Sequence, residues 1–166
     1  MMRLLMILMF LICPFQVWAM SSLSSTVGEE VLVGKPAPEF TLGTASGESK
    51  SLTQVRDGKR TIMFFWATWC PHCNEELEVL SMKLKDIQQK GIQIVLVDAG
   101  ESREDVKSFL SRRGLVLDSF MDEDNTVSGL YSVVGLPTTF FIDEKGIVRA
   151  IEHELPSDYD SKFKSR

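Results

Sequence analysis

A buried strand, an amphipathic helix and a second buried strand follow one another directly in this sequence, and few folds accommodate that order. Residues 61–66 are apolar on both alternating faces, which is typical of a central strand covered from above and below. From Cys73 the apolar residues step by four, three, four and three positions, which predicts one buried helix face, and residues 92–98 form the second apolar run. This order predicts a right-handed crossover and a parallel pair of strands.

The flanking segments extend this unit into one α/β domain. Ser102, with Asp105 three residues later, predicts the start of a second helix. A strand at 115–120, a short helix at 126–132 and an antiparallel hairpin around the turn at 143–146 are expected to follow.

Both ends of the domain carry weaker patterns. Two short strands are expected before residue 61, one near residue 42 and one near Ser51 and Leu52. After residue 151 three apolar side chains recur at every fourth position, which predicts a short amphipathic helix; they are Leu155, Tyr159 and Phe163.

The first 19 residues have the pattern of a secretory signal. Arg3 precedes a short apolar run, and cleavage is expected after Ala19. The alternative is an uncleaved membrane anchor, but Pro14 and Gln16 interrupt the run before the roughly 20 residues that a spanning helix needs. The expected organisation is a signal at 1–19, a flexible lead at 20–32 and one domain at 33–166, with a periplasmic or other extracytoplasmic location.

Charge and cysteine content limit the possible functions further. The formal net charge is −5, and loss of Arg3 with the signal leaves 17 basic and 23 acidic residues, or −6, which argues against a nucleic-acid partner. Cleavage also removes Cys13. Cys70 and Cys73 are then the two cysteines of a chain exported to an oxidising compartment.

The sequence Cys70-Pro71-His72-Cys73 places its first sulfur at the expected N-terminus of the helix. Free backbone N–H groups and the positive end of the helix dipole stabilise a thiolate there, and the thiolate is the nucleophilic form of cysteine. Cys73 lies one turn inside the helix, within reach of a mixed disulfide on Cys70. The pair therefore has the parts of a thiol–disulfide exchange cycle.

Two other uses of the pair fit the sequence less well. A zinc site usually takes four cysteine or histidine ligands. In the mature chain the available ligands of these two types would be Cys70, Cys73, His72 and His153. Pro71 aims His72 poorly for a chelate with both sulfurs. A purely structural disulfide is disfavoured because so short a loop removes little entropy from the unfolded chain. No metal and no other cofactor is expected.

Four motifs, "GKPAPEFTL", "FFWATWCPHC", "GLPTTFFID" and "GIV", occur in an order and spacing that resemble the TlpA/ResA branch of the thioredoxin superfamily. The resemblance covers residues 33–151. It implies an α/β fold of the thioredoxin-like three-layer type, with a central mixed sheet and helices on both faces. It also implies an exported enzyme that exchanges disulfides with protein cysteines and works with a membrane redox partner.

The resemblance assigns roles residue by residue. Cys70 becomes the nucleophile, Cys73 the resolving cysteine and Glu76 the carboxylate of the family's "WCxxCxxE" pattern, able to accept or return a proton. The peptide bond before Pro137 is expected to be cis. The residues expected to contact substrate are Trp69, Pro71, His72, Leu136 and Pro137. Trp66 is expected to pack in the core.

The chain also departs from the family pattern. Phe64 replaces the buried aspartate of thioredoxins proper, which leaves Glu76 as the nearest candidate proton relay. The longer final helix of the family is missing, so one face of the sheet is expected to be thinly covered. His153, after the last strand, has no evident route to the cysteines.

The direction of electron flow stays open at this stage. The scaffold favours a reductant, as in cytochrome c maturation, whereas the dipeptide Pro71-His72 is that of the oxidant DsbA and favours an oxidant or isomerase. A peroxidase is disfavoured because Ala67 occupies the position of the peroxiredoxin threonine. A Cu(I)-binding chaperone that uses both sulfurs as soft ligands is a further alternative.

Overall fold

The computed structural model describes residues 30–164; the predicted signal at 1–19 and most of the predicted lead at 20–32 lie outside them. The strands are β1 (Thr41–Gly43), β2 (Ser49–Ser51), β3 (Arg60–Trp66), β4 (Ile92–Ala99), β5 (Ser119–Asp122), β6 (Thr138–Ile142) and β7 (Val148–Glu152). The α-helices are α1 (Leu52–Arg56), α2 (Pro71–Gln89), α3 (Arg103–Arg112) and α4 (Thr126–Leu130), with 3₁₀-helices at Glu30–Leu32 and Tyr159–Phe163. Within residues 30–164, no helix has the length and apolar character to cross a membrane.

The five-stranded sheet has the order β5-β4-β3-β6-β7. β4 runs parallel to β3 and to β5, while β6 and β7 are antiparallel to their neighbours. The sheet is therefore mixed, as expected, and the parallel pair β3 and β4 is joined by α2. β1 and β2 form a separate two-stranded ribbon that meets β5 through a bridge between Thr44 and Phe120.

Alternation along β3 builds a core on each face of the sheet. Ile62, Phe64 and Trp66 point to one face, where α2, α3 and the C-terminal tail pack, whereas Met63 and Phe65 point to the other, where α1 and α4 pack. All five side chains have no exposed surface. Helices thus cover both faces, which gives the three layers predicted from the sequence.

The C-terminal tail covers more of the sheet than its polar composition suggested. Leu155, Tyr159 and Phe163 are all buried, and the Phe163 ring packs edge-on against Phe141 at 5.4 Å. The tail contains a 3₁₀-helix rather than the expected α-helix, because a segment this short seldom sustains α-helical bonding. The expectation of a thinly covered face is therefore wrong where this tail packs.

Two other elements differ from prediction. α1 begins where the second short strand was expected to continue, because Ser51 and Gln54 form a reciprocal capping box at its start. β5 begins at Ser119 rather than at residue 115, since its pairing with β4 starts there, opposite Leu96. Val116 lies before this strand and is 89% exposed.

Candidate active site

Cys70 and Cys73 form a disulfide at the start of α2. β3 ends at Trp66, three residues lead to Cys70 as the N-cap residue, and Pro71 occupies the first helical turn, where its missing N–H is not needed. The Cys73 N–H donates a hydrogen bond to Cys70 Sγ over 3.2 Å. Cys70 retains 5% exposure and Cys73 none, so the first sulfur is the accessible member of the pair.

The loop before Cys70 is fixed by Glu101, a residue that the sequence analysis missed. The backbone N–H and the hydroxyl of Thr68 donate to the two oxygens of the Glu101 carboxylate, over 2.5 and 2.6 Å. Asn74, in α2, donates to the Thr68 carbonyl over 3.1 Å. The available signal was topological: Glu101 follows β4, and the carboxyl ends of parallel strands meet at one edge of a sheet.

The two tryptophans of the motif have different environments. Trp66 is fully buried, donates from its indole N–H to Ser119 Oγ over 3.1 Å and packs against Phe109 with ring centroids 5.7 Å apart. Its predicted role in packing is confirmed. Trp69 is 68% exposed beside Cys70, so it offers an apolar surface next to the accessible sulfur.

An open groove of about 460 Å³ lies between the first turn of α2 and the loop before β6. His72, Glu75 and Glu76 line one side and Leu136 and Pro137 the other. The peptide bond between Leu136 and Pro137 is cis, as the resemblance implied. The predicted substrate-contact residues His72, Leu136 and Pro137 are thus brought together, and Pro71 and Trp69 are their exposed neighbours in the motif.

His153 also lines this groove, contrary to expectation. Its Nδ1 atom lies 3.3 Å from the Pro137 carbonyl oxygen and 3.4 Å from Thr138 Oγ1. The pairing of β6 with β7, in which Thr139 lies opposite Glu152, brings His153 there, and the linear sequence does not reveal this. Within residues 30–164, however, no group of three or more histidine, cysteine, aspartate or glutamate side chains has the arrangement of a metal site.

His72 faces solvent in this disulfide form. Its side chain is 83% exposed, and Nδ1 lies 3.7 Å from the Glu75 carboxylate across one helical turn. Among the described hydrogen bonds, the Sγ atom of Cys70 receives one from the Cys73 backbone, and the imidazole of His72 contributes none. The imidazole is thus oriented toward Glu75.

Glu76 is half-buried on the groove and accepts a hydrogen bond from the Leu155 backbone N–H over 3.2 Å. Burial raises the pKa of this carboxyl group above its ordinary value, and the charges of Glu154 and Glu75 act in the same direction. The Leu155 hydrogen bond and Lys83 oppose the shift but do not reverse it. A carboxyl group with a raised pKa can carry a proton closer to neutral pH than an ordinary glutamate does.

Asp98 is a second acidic group at this end of the sheet, and it had no predicted role. It lies at the end of β4, opposite Trp66, and has no exposed surface. Burial raises its pKa to about 8, and the neighbouring carboxyl groups of Glu101 and Asp122 reinforce the shift. An aspartate that closes an otherwise apolar buried strand was the signal that could have identified it.

Comparison with known proteins gives a consistent result. The model of a family described as AhpC/TSA matches residues 33–151. The thiol-disulfide oxidoreductase ResA of Geobacillus thermodenitrificans is 37% identical over 121 residues, which cover 73% of this chain and 69% of that protein. ResA of Bacillus subtilis is 34% identical over 120 residues, covering 72% of this chain and 66% of that protein.

The solved structures agree on the fold. A crystal structure assigned as the thiol:disulfide interchange protein DsbE of Chlorobium tepidum superposes with a TM-score of 0.69 and 28% identity. The superposition covers 78% of this chain and 91% of the other. The mixed sheet with helices on both faces is therefore the thioredoxin-like fold expected from the sequence.

Proposed function

Because the chain belongs to the AhpC/TSA family and is a ResA-like thiol–disulfide oxidoreductase, we propose that it is an exported reductant of protein disulfides. The N-terminal sequence supports export, and cytochrome c maturation is the leading task. A reductant in an oxidising compartment needs a continuing supply of electrons, which a membrane redox partner would provide.

The first step of the proposed reaction takes place at Cys70. Its thiolate attacks one sulfur of a substrate disulfide, forms a mixed disulfide and releases the other substrate sulfur as a thiolate. The N-terminus of α2 and the Cys73 N–H, 3.2 Å from Cys70 Sγ, stabilise the negative charge before the attack.

The second step regenerates the disulfide seen in the structure. Cys73 loses its proton and attacks Cys70 Sγ, and the second substrate sulfur leaves as a thiol. Solvent returns to the first substrate thiolate the proton that Cys70 lost on forming its own thiolate, and the proton that leaves Cys73 passes to the second substrate sulfur. Substrate thus gains two electrons and two protons in total, and the enzyme dithiol becomes a disulfide. Glu76 accepts the Cys73 proton, a role supported by its half-buried position and raised pKa.

The groove is the proposed substrate site. An extended segment of substrate pairs with the Leu136 backbone, with Pro137 beneath it, and contacts Trp69, Pro71 and His72 on the other side of Cys70. The exposed Trp69 ring supplies apolar contact area. This geometry suits an unfolded or extended chain around a cysteine.

The observation that carries the choice of a reductant is the orientation of His72. An imidazolium close to Cys70 would stabilise the thiolate and make the disulfide a stronger oxidant. The His72 ring instead lies beside Glu75 and is 83% exposed, so little of that effect is expected. The same Pro71-His72 dipeptide is the basis of the alternative, an oxidant or isomerase.

The experiment that separates the two is the reduction potential of the Cys70 and Cys73 pair, measured in graded glutathione buffers. A potential near about −270 mV or lower would support the reductant, and one near about −120 mV would replace it with the oxidant. His72→Ala is the informative variant, since a reductant in which His72 faces solvent should keep its potential. Glu75→Ala, which removes the partner of His72, is the matched control.

A further inference from the structure

A continuous chain of contacts links a buried carboxyl group to the active-site loop. Asp98 Oδ1 accepts a hydrogen bond from the Glu101 backbone N–H over 3.2 Å. The Glu101 carboxylate accepts two hydrogen bonds from Thr68, two residues before Cys70. These contacts connect Asp98 to the nucleophile through Glu101 and one short stretch of backbone.

The other carboxyl oxygen of Asp98, Oδ2, indicates the position of a proton. Asp98 Oδ2 is buried and receives no hydrogen bond from the residues at positions 30–164. After burial, the interaction with the neighbouring Glu101 carboxyl group contributes most to raising the pKa of Asp98. Two ionised carboxylates would repel each other in a poorly solvated site, whereas one proton between them satisfies the orphaned oxygen.

We propose that Asp98 is a positioning residue for thiol–disulfide exchange: it shares a proton with Glu101, and through Glu101 it fixes the Thr68 backbone and hence Cys70. The proposal rests on exchange at the Cys70 and Cys73 pair and not on the direction of electron flow.

Loss of the shared proton would change the site in a defined way. The titratable groups that act on Asp98 are Glu101, from the loop after β4, and Asp122, from β5, and both are acids. Asp122 is engaged elsewhere, since its carboxylate accepts hydrogen bonds from Val127 and Ser128 at the start of α4. Ionised Asp98 therefore repels Glu101, weakens the hydrogen bonds between Glu101 and Thr68, and adds a negative charge opposite Trp66, four residues before Cys70.

A purely structural role is the competing explanation, because Asp98 Oδ1 also stabilises the turn at Glu101. Asp98→Asn separates the two. Asparagine keeps the acceptor oxygen and can donate to Glu101 at every pH, but it cannot ionise. A structural aspartate predicts an effect that is the same at all pH values, whereas a shared proton predicts an effect that depends on pH.

The test measures the equilibrium constant for exchange between the full chain and reduced and oxidised glutathione from pH 6 to 9. Free thiols are trapped by alkylation, and the fractions of dithiol and disulfide are measured from the mass of the peptide at 61–83. Near pH 6, the equilibrium constant of the natural protein divided by that of Asp98→Asn should not depend on pH. By pH 9 this ratio should have changed about threefold or more, in the direction that favours the disulfide form of the natural protein. Glu123→Gln, an exposed acid in the loop after β5, should follow the natural protein throughout.

A ratio that does not change with pH would overturn the proposal while leaving the exchange reaction intact. Failure of every variant to equilibrate with glutathione would instead overturn the proposed function. The Thr68 amide resonance gives a second measurement, and in the natural protein it should titrate with a midpoint near that of Asp98. Glu101→Gln removes the neighbouring charge. The pH at which the glutathione equilibrium changes should then be lower than in the natural protein, and an unchanged pH would contradict the shared proton.

Discussion

Replacing Asp98 with asparagine is expected to stabilise the protein increasingly as the pH rises. The ordinary pKa of an aspartate, 3.8, applies to the unfolded chain, and burial raises the folded value to about 8. Below the unfolded pKa, Asp98 is protonated in both the folded and the unfolded protein, so its ionisation does not lower the free energy of unfolding. Between these two values the unfolded chain binds fewer protons than the folded protein, so stability is lost as the pH rises through this window.

The magnitude follows from the same two values. Each unit of difference between the folded and unfolded pKa corresponds to about 1.4 kcal/mol, so the loss at pH 9 is about 6 kcal/mol at most. About a third of that loss is already present at pH 5, which leaves a difference of up to about 4 kcal/mol between pH 5 and pH 9. Asparagine has no such cost, and the carboxyl groups that do not interact with Asp98 contribute equally to both proteins.

The assay is urea unfolding of the oxidised protein at one-unit intervals from pH 5 to pH 9, without thiol reagents. The free energy of unfolding should be larger for Asp98→Asn than for the natural protein, and this difference should grow with pH. The slope of the free energy against urea concentration should be the same for both proteins. Glu123→Gln serves as the exposed control and should show no such trend. A difference that changes by less than about 1 kcal/mol over this range would mean that Asp98 is already ionised at pH 5, and the reasoning would be wrong.

Three further predictions concern the site and the tail. Cys70→Ser should abolish insulin reduction and Cys73→Ser should accumulate mixed disulfides on non-reducing gels; an active Cys70→Ser protein would contradict the mechanism. Glu76→Gln should slow resolution of the mixed disulfide by about tenfold or more at pH 7 and remove the acid-side inflection of its rate, since the raised pKa lets Glu76 exchange a proton near neutrality. Glu75→Gln is the exposed control, and equal effects of both would argue against the relay. Phe163→Ala should lower the free energy of unfolding by about 3 kcal/mol, because it removes a buried ring, and a loss below about 1 kcal/mol in urea unfolding would show that the tail contributes little.

The central strands and α2 were predictable because their signals are local. The apolar run of β3 and the helical spacing of apolar residues from Cys73 to Ile87 record burial directly in the sequence. Four of the five predicted helix positions are fully buried, and the fifth, Leu84, is half-buried. Gly91 follows the helix with a positive φ of 70°, as a residue after a helix end commonly does. The position of Cys70 at the helix N-terminus then followed from the order of elements alone.

The missed features depend on contacts between distant parts of the chain. Glu101 matters because two parallel strands end side by side, which places it against Thr68, 33 residues earlier. His153 reaches Pro137 through the pairing of β6 with β7. Asp98 lies at the end of an apolar strand run, but only the burial of its carboxyl group next to other acids distinguishes it from an ordinary residue at a strand end.

The hydrogen bond from the Leu155 N–H to Glu76 has a practical consequence for work with this protein. The final segment forms one wall of the groove beside the reacting sulfurs and helps to set the acidity of the proposed proton relay. A shortened form that ends at residue 152 would lose this donor together with the buried Tyr159 and Phe163 side chains. Its lower activity would then report damage to the catalytic groove rather than the removal of a dispensable extension, and an affinity tag joined to the C-terminus needs a spacer for the same reason.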